Sequence, residues 1–473
     1  MNLVKSLVVV CVMSLSAQAQ AAVNVTSTLR DQESVEVTVY NSNLGLVKDT
    51  RNIKLMEGDG EMKFMDVAAF IQPYTVSIRS LDAPKDFSIL EQNYEYDLIN
   101  STKLLDKYVG KKVKLVRENE YQGKSETVEA ELLSNNQGQI YRIGNDIYIG
   151  YPGQIILPSL PEDLIAKPTL TWAFRNKYSA EQKIEVSYLT QNISWKADYI
   201  VVIDKNDAKA NVSGWVTLDN KSGTTYRNAK LKLVAGEVNR VQDELRQYKS
   251  MRIAENMVAS DGGAVGFAEQ SFFEYHLYDL AQPTTIKDLQ TKQIRLLEAN
   301  DAGVSKVFKV QGQNNWWYGP YNETGKVPVQ VMLKFKNSKE NNMGMPLPAG
   351  TMRLYKADQN DSLQFIGEDA IKHTPKDEDI DLKIGEAFDV VAERVQKDYQ
   401  NITRGHETEW EVTIRNHKSE DISVQVLETI PGDWTVMSQS QKFTKVDAFT
   451  ARFDVDVPKD GEAKVRYRVR IKY

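Results

Sequence analysis

The sequence predicts an all-β protein: several antiparallel β-sandwich domains, a small β-barrel inserted into the first, and an immunoglobulin-like unit at the C-terminal end. Three observations lead there. Apolar and polar residues alternate with period two in SVEVTVY (34–40), KIEVSY (183–188) and VQVMLKF (329–335), the pattern of a strand with one face buried. Turn residues punctuate these runs, as in Glu57-Gly58-Asp59-Gly60, Asn220-Lys221-Ser222-Gly223, Pro431-Gly432-Asp433 and Lys459-Asp460-Gly461. Helical periodicity is scarce: STKLLDKY (101–108) suits a capped turn or two, and 241–257 is the best longer candidate. The 473 residues are 41% hydrophobic and 26% charged, an ordinary globular composition. A formal net charge of -6 with both signs interspersed argues against nucleic acid as a partner.

Residues 1–21 read as a cleavable signal peptide. Lys5 is the only charged residue there, 7–15 (LVVVCVMSL) form a short apolar core, and Ala17, Ala19 and Ala21 satisfy the small-x-small rule. That core is too short to cross a bilayer, which needs about 20 apolar residues. The expected location is periplasmic or extracellular, with no transmembrane anchor. Cys11, the single cysteine, leaves with the leader, so thiol catalysis, cysteine-based zinc sites and iron–sulfur clusters are excluded.

Behind the leader, residues 22–98 and 165–240 read as the first β-sandwich. Residues 99–164, denser in Gly and Asn with short strands at 112–116 and 139–143, form the inserted barrel. Residues 241–271 are a flexible or partly helical linker, and Gly262, Gly263 and Gly266 mark the mobile stretch 250–267. Residues 272–385 make a second β-domain. Residues 386–473 form the immunoglobulin-like sandwich, with Trp410 and Trp434 expected in or near its core. Its last strand sets Val465, Tyr467, Val469 and Ile471 against Lys464, Arg466, Arg468 and Arg470, a buried face and a solvated basic one.

Catalytic machinery is hard to find. There is no Gly-x-Ser-x-Gly elbow, and His276, His373, His406 and His417 sit in no recognisable triad or zincin pattern. The acidic groups Asp358-Gln359-Asn360-Asp361 and Asp377-Glu378-Asp379 read as solvated turns rather than calcium loops. No catalytic residue, metal or cofactor is therefore assigned. One run carries a binding reading: Trp316, Trp317, Tyr318 and Tyr321, flanked by Asn314 and Asn315. Exposed rings of this kind stack on the apolar faces of sugars, whereas in a strand Trp316 and Trp317 must point to opposite faces, one of them into the core. Two function classes remain. One is an exported envelope protein that binds a protein or glycan, or has a structural role. The other is an envelope hydrolase acting on glycan or peptide through a carboxylate pair.

Longer phrases carry a family resemblance: SYLT (187–190), ISWKADY (193–199), GWVTLDN (214–220), NAKLKLVAG (228–236), PLPAG (346–350) and HTPKDE (373–378). Over most of residues 165–473 the chain resembles the secreted proteins of domain-of-unknown-function family 4139, related to the mucoidy-inhibitor proteins. The resemblance implies an all-β exported protein and brings no catalytic residues with it. The coiled-coil stretch of the mucoidy-inhibitor branch has no counterpart here. On the residues themselves, Trp195 and Trp215 are expected as core aromatics, and Lys196 and Asp198 as an ion pair on one strand face.

Overall fold

The computed structural model describes the chain apart from residues 1–22, 96–99, 120–123, 152, 160–166, 237, 240–266, 273–274, 313–316, 318, 321–324 and 473. The described chain is built almost wholly of strands, a sandwich-type all-β fold. It forms two compact units, one from residues up to 35, 47–190 and 222–224, the other from 36–46, 191–221 and 225–473. The signal-peptide segment, the helix candidate 241–257 and nearly all of 250–267 lie outside the described residues. The expected linker ends earlier than read, because Phe267–Phe272 is a strand paired with Tyr275–Leu280.

In the first unit a four-stranded sheet runs Val23–Ser27, Gly58–Met65, Thr169–Asn176, Phe87–Glu95. Thr169–Asn176 lies antiparallel between its two neighbours, so the chain leaves this sheet after residue 95 and returns to it at 169. Met62, Phe64, Leu170, Trp172 and Phe174 are among its buried residues. The Phe64 and Trp172 rings meet edge to face at 5.8 Å, a geometry that aromatic quadrupoles favour. Arg51 is buried against the Phe64 ring at 3.5 Å and donates to Asp49 (2.8 Å) and to the Met65 carbonyl (2.9 Å).

The excursion is a five-stranded antiparallel sheet ordered Asp146–Ile149, Ile140–Ile143, Lys124–Ser134, Lys112–Asn119, Gln154–Ile156. The expected barrel is corrected here: among the described residues the sheet stays open. Its outer strands have only four and three residues, too short to tilt round and meet, as closure demands. Helix Ser101–Lys107 does the covering instead. Asn100 caps it by accepting from the Lys103 amide, and Leu105 and Tyr108 share one core with Val113, Leu115, Ala130, Leu132 and Tyr141.

The second unit holds a five-stranded sheet, Gln290–Gly303, Lys209–Asn220, Ile193–Ile203, Gly350–Ala357, Leu363–Ile371. It also holds two sheets packed around one core. One runs Asp379–Glu386, Val329–Lys336, Ser305–Gln311, Ile422–Thr429, Thr450–Val457, Phe443–Lys445; the other runs Gly325–Val327, Val390–Ile402, Gly405–Asn416, Gly461–Lys472, Asp433–Gln439. Trp410 and Trp434 lie in that core. The core is not confined to 386–473, however. Phe308, Val310, Val327 and Val329 belong to it, and Ser305–Gln311 pairs in parallel with Ile422–Thr429. The basic face of the last strand is neutralised by register: Arg466, Arg468 and Arg470 lie opposite Glu411, Glu409 and Glu407. Arg468 binds Glu409 at 2.7 Å and Arg470 binds Glu407 at 2.6 Å.

Candidate functional site

The open face of the sheet that includes Ile193–Ile203 combines aromatic rings with a polar network. Strand parity builds it. Trp195, Ala197, Tyr199 and Val201 face the core on one strand, as do Val212, Val216 and Leu218 on the next and Met352 and Leu354 on a third. The alternate residues face outward. Register then sets them in rows. Arg295, Trp215, Asp198 and Thr351 form one row; Ser213, Ile200, Arg353 and Glu368 the next; Val202, Tyr355 and Phe365 the third. Gly350 permits the parallel approach of its strand, since a Cβ there would lie 2.2 Å from the Ala197 carbonyl oxygen.

Asp198 is the hub. It accepts from the Thr217 hydroxyl (2.7 Å) and from Arg353 (2.9 Å), with Lys196 at 3.8 Å. Arg353 also reaches Glu368 at 3.2 Å, and Gln293 donates to Thr217 at 3.2 Å. Burial pushes the Asp198 carboxyl up, but the hydrogen bonds from Thr217 and Arg353 and the charge of Lys196 outweigh it and hold the group below its usual range. The network is thus a fixed anion pinned among donors. Beside it, Tyr355 and Phe365 meet edge to face at 5.7 Å, with Phe365 more than half exposed, and Arg295 lies over the Trp215 ring at 5.6 Å. Flat rings beside oriented donors and acceptors can stack on a ligand and fix its orientation.

Residues 184–473 match the family described as Domain of unknown function (DUF4139). The chain belongs to the DUF4139 family. The whole outward face lies inside the DUF4139 region. No curated protein matches the chain.

The residues that the sequence reading put forward fare differently within that region. Trp317 is fully buried, its ring 5.7 Å from Trp410 and edge to face with it, so it is the core member of the aromatic run. Trp316, Tyr318 and Tyr321 lie outside the described residues. Trp195 is buried as expected and donates to the Val234 carbonyl. Trp215 is corrected: it faces outward, because Val212, Gly214, Val216 and Leu218 take the inward parity of its strand. Arg353, Tyr355 and Phe365 were missed. For Arg353 and Tyr355 the signal was the alternation TMRLYKA at 351–357, with Met352 and Leu354 inward; Phe365 lies on the neighbouring strand, opposite Tyr355. The acidic turn at Asp358 is self-satisfied, accepting from the Asn360 and Ser362 amides. Among the described residues no group of three or more His, Cys, Asp or Glu is placed to hold a metal ion.

Proposed function

We propose that this DUF4139 protein is exported to the cell envelope, periplasmic or extracellular, and acts there as a binding protein for glycan through the face around Asp198. The observation that carries the reading is the juxtaposition of Trp215, Tyr355 and Phe365 with the Asp198–Arg353–Thr217 network. Sugar rings offer apolar faces to aromatics and hydroxyls to paired donors and acceptors, which this face supplies side by side. The leader-like residues 1–21 and the resemblance of the sequence to mucoidy-inhibitor proteins support the envelope location. A hydrolase working through a carboxylate pair needs one carboxyl held protonated near neutrality. Every carboxyl with a resolved shift among the described residues is lowered instead: Asp59, Asp198, Asp204, Asp207, Glu340, Asp358, Asp398, Glu409 and Asp447. The aromatic rings set beside the Asp198 network are what favour binding.

Calorimetric titration of the protein with soluble envelope polysaccharides tests it. Saturable binding is expected, weakened about tenfold (about 1.4 kcal/mol) by Phe365→Ser and by Arg353→Gln at unchanged melting temperature. If wild type binds no polysaccharide, but retains an envelope protein that both variants lose, the ligand is protein. Polysaccharide binding that both variants keep undiminished places the site elsewhere.

A further inference from the structure

The inserted sheet of the first unit ends in an edge strand with unusual chemistry. Asp146–Ile149 is exposed along its whole length, with Ile147 at 64%, Tyr148 at 43% and Ile149 at 88% exposure. It pairs with Ile140–Ile143 and is the terminal strand of its sheet. Edge strands are commonly blunted by Lys, Pro or a bulge. This one is guarded only by its four-residue length and by Asp146; it has no Lys, Pro or bulge and carries an isoleucine on either side of a tyrosine.

Hydrogen-bond parity shows what the free edge offers. The hairpin closes through the two-residue turn Gly144-Asn145, with Gly144 at φ 60° and Asp146 opposite Ile143, the glycine-first turn suited to two-residue hairpins. Beyond Ile149 the Gly150 amide donates to the Gln139 carbonyl at 2.8 Å. The even-numbered residues therefore bond inward to their partner strand. The amides and carbonyls of Ile147 and Ile149 point to the free edge.

We propose that this edge pairs with the same edge of a second copy, antiparallel and centred on Tyr148. The segment Ile147-Tyr148-Ile149 reads the same in both directions, so antiparallel self-pairing about Tyr148 sets isoleucine opposite isoleucine and tyrosine opposite tyrosine, an apolar match on both faces. In this register Ile147 exchanges both backbone hydrogen bonds with Ile149 of the second copy, and Ile149 with its Ile147. All outward backbone groups of the three residues are then satisfied. The four isoleucines gather on one face, and the two Tyr148 rings meet on the face that carries Tyr141. Asp146 falls opposite Gly150 of the other copy. The two Asp146 carboxylates stand about 14 Å apart along the strands, beyond a Debye length of about 8 Å, so their repulsion is screened. The two five-stranded sheets become one continuous sheet. One short strand covers less than the roughly 800 Å² per partner of a standard interface, so the dimer is weak and concentration-dependent.

Cross-linking by register tests this on the full chain in a Cys11→Ser background, which removes the only cysteine. Tyr148 faces itself in the non-hydrogen-bonded position, where Cα atoms lie about 4.5 Å apart, close enough for a disulfide. Tyr148→Cys is expected to give a covalent dimer under mild oxidation, and Asp146→Cys to stay monomeric. In sedimentation the Ile147→Lys/Ile149→Lys double variant should weaken association at least tenfold without lowering the melting temperature. Equal cross-linking of the two cysteine variants, or a wild-type protein monomeric at about 1 mM, overturns the proposal. A monomer that takes an unrelated extended peptide on this edge also overturns it, since the occupant is then a foreign strand.

Discussion

Two buried residues of the C-terminal sandwich hold ionisable groups on which its stability depends. Arg394 and Glu428 are each 1% exposed and form a two-pronged ion pair with both contacts at 3.0 Å. The Tyr467 hydroxyl accepts from Arg394 at 3.3 Å, and the guanidinium lies 3.3 Å from the centre of the Trp410 ring. Removing one partner of such a pair strands the other charge in a medium that solvates it poorly, at a cost of about 3–5 kcal/mol. Glu428→Leu should therefore lower the unfolding free energy from denaturant titration by that amount, while Arg394→Met/Glu428→Leu recovers most of it. A single-variant loss below about 1 kcal/mol would show that the guanidinium finds water. His406 gives a pH-dependent counterpart. Burial pushes its imidazole below the ordinary value, with a hydrogen bond to the Trp317 main chain pulling the other way, and it stacks on Tyr399 at 5.1 Å. The unfolded chain takes up a proton as pH falls through about 6.5, whereas the folded chain resists it. The His406 contribution is thus fully present above about pH 6.5 and is lost as pH falls towards the lowered folded value. Melting temperature measured from pH 8 to 5 should fall less steeply for His406→Gln, and identical slopes would remove His406 as the cause.

At the scale of the element, the sequence made strand parity legible and left strand partnership hidden. Alternation from Lys464 to Ile471 shows which side chains turn inward, and the burial of Gly461–Lys472 follows it. What alternation cannot carry is register, a property of two segments far apart in the chain. Arg466, Arg468 and Arg470 therefore read as a solvated basic face, although Glu411, Glu409 and Glu407 lie directly across from them. The misplacement of Trp215 has another origin. A large aromatic ring favours burial, yet Val212, Gly214, Val216 and Leu218 occupy the inward positions around it. Parity makes position 214 inward, and glycine fills it because space fails there: a Cβ would lie 2.9 Å from Leu297 Cγ. The barrel expectation failed on length, since outer strands of four and three residues are too short to close a sheet on itself.

For the whole molecule, composition and alternation were enough for the all-β class, because half-buried sheets impose period two wherever they occur. The candidate face was only partly legible: Lys196 and Asp198 on one strand were expected to pair, but Arg353 makes the shorter contact from a strand more than 150 residues away. Domain limits were least legible, because a sandwich can draw strands from distant segments. Residues 386–473 have the length and the tryptophans of an independent unit, yet their core also requires Phe308, Val310, Val327 and Val329. Cut at 386, Ile422–Thr429 loses its parallel neighbour Ser305–Gln311, and Val390–Ile402 loses Gly325–Val327. Each large apolar residue removed from such a core leaves a cavity worth about 2–5 kcal/mol, and a domain's total stability is about 5–15 kcal/mol. The loss of five together, Trp317 included, is as large as that whole total. A fragment of residues 386–473 should accordingly show no cooperative melt by circular dichroism, and one of residues 303–473 should regain it. A sharp transition in the shorter fragment, close in temperature to that of the longer one, would mean that the strands from 305–336 lie against a core that is complete without them.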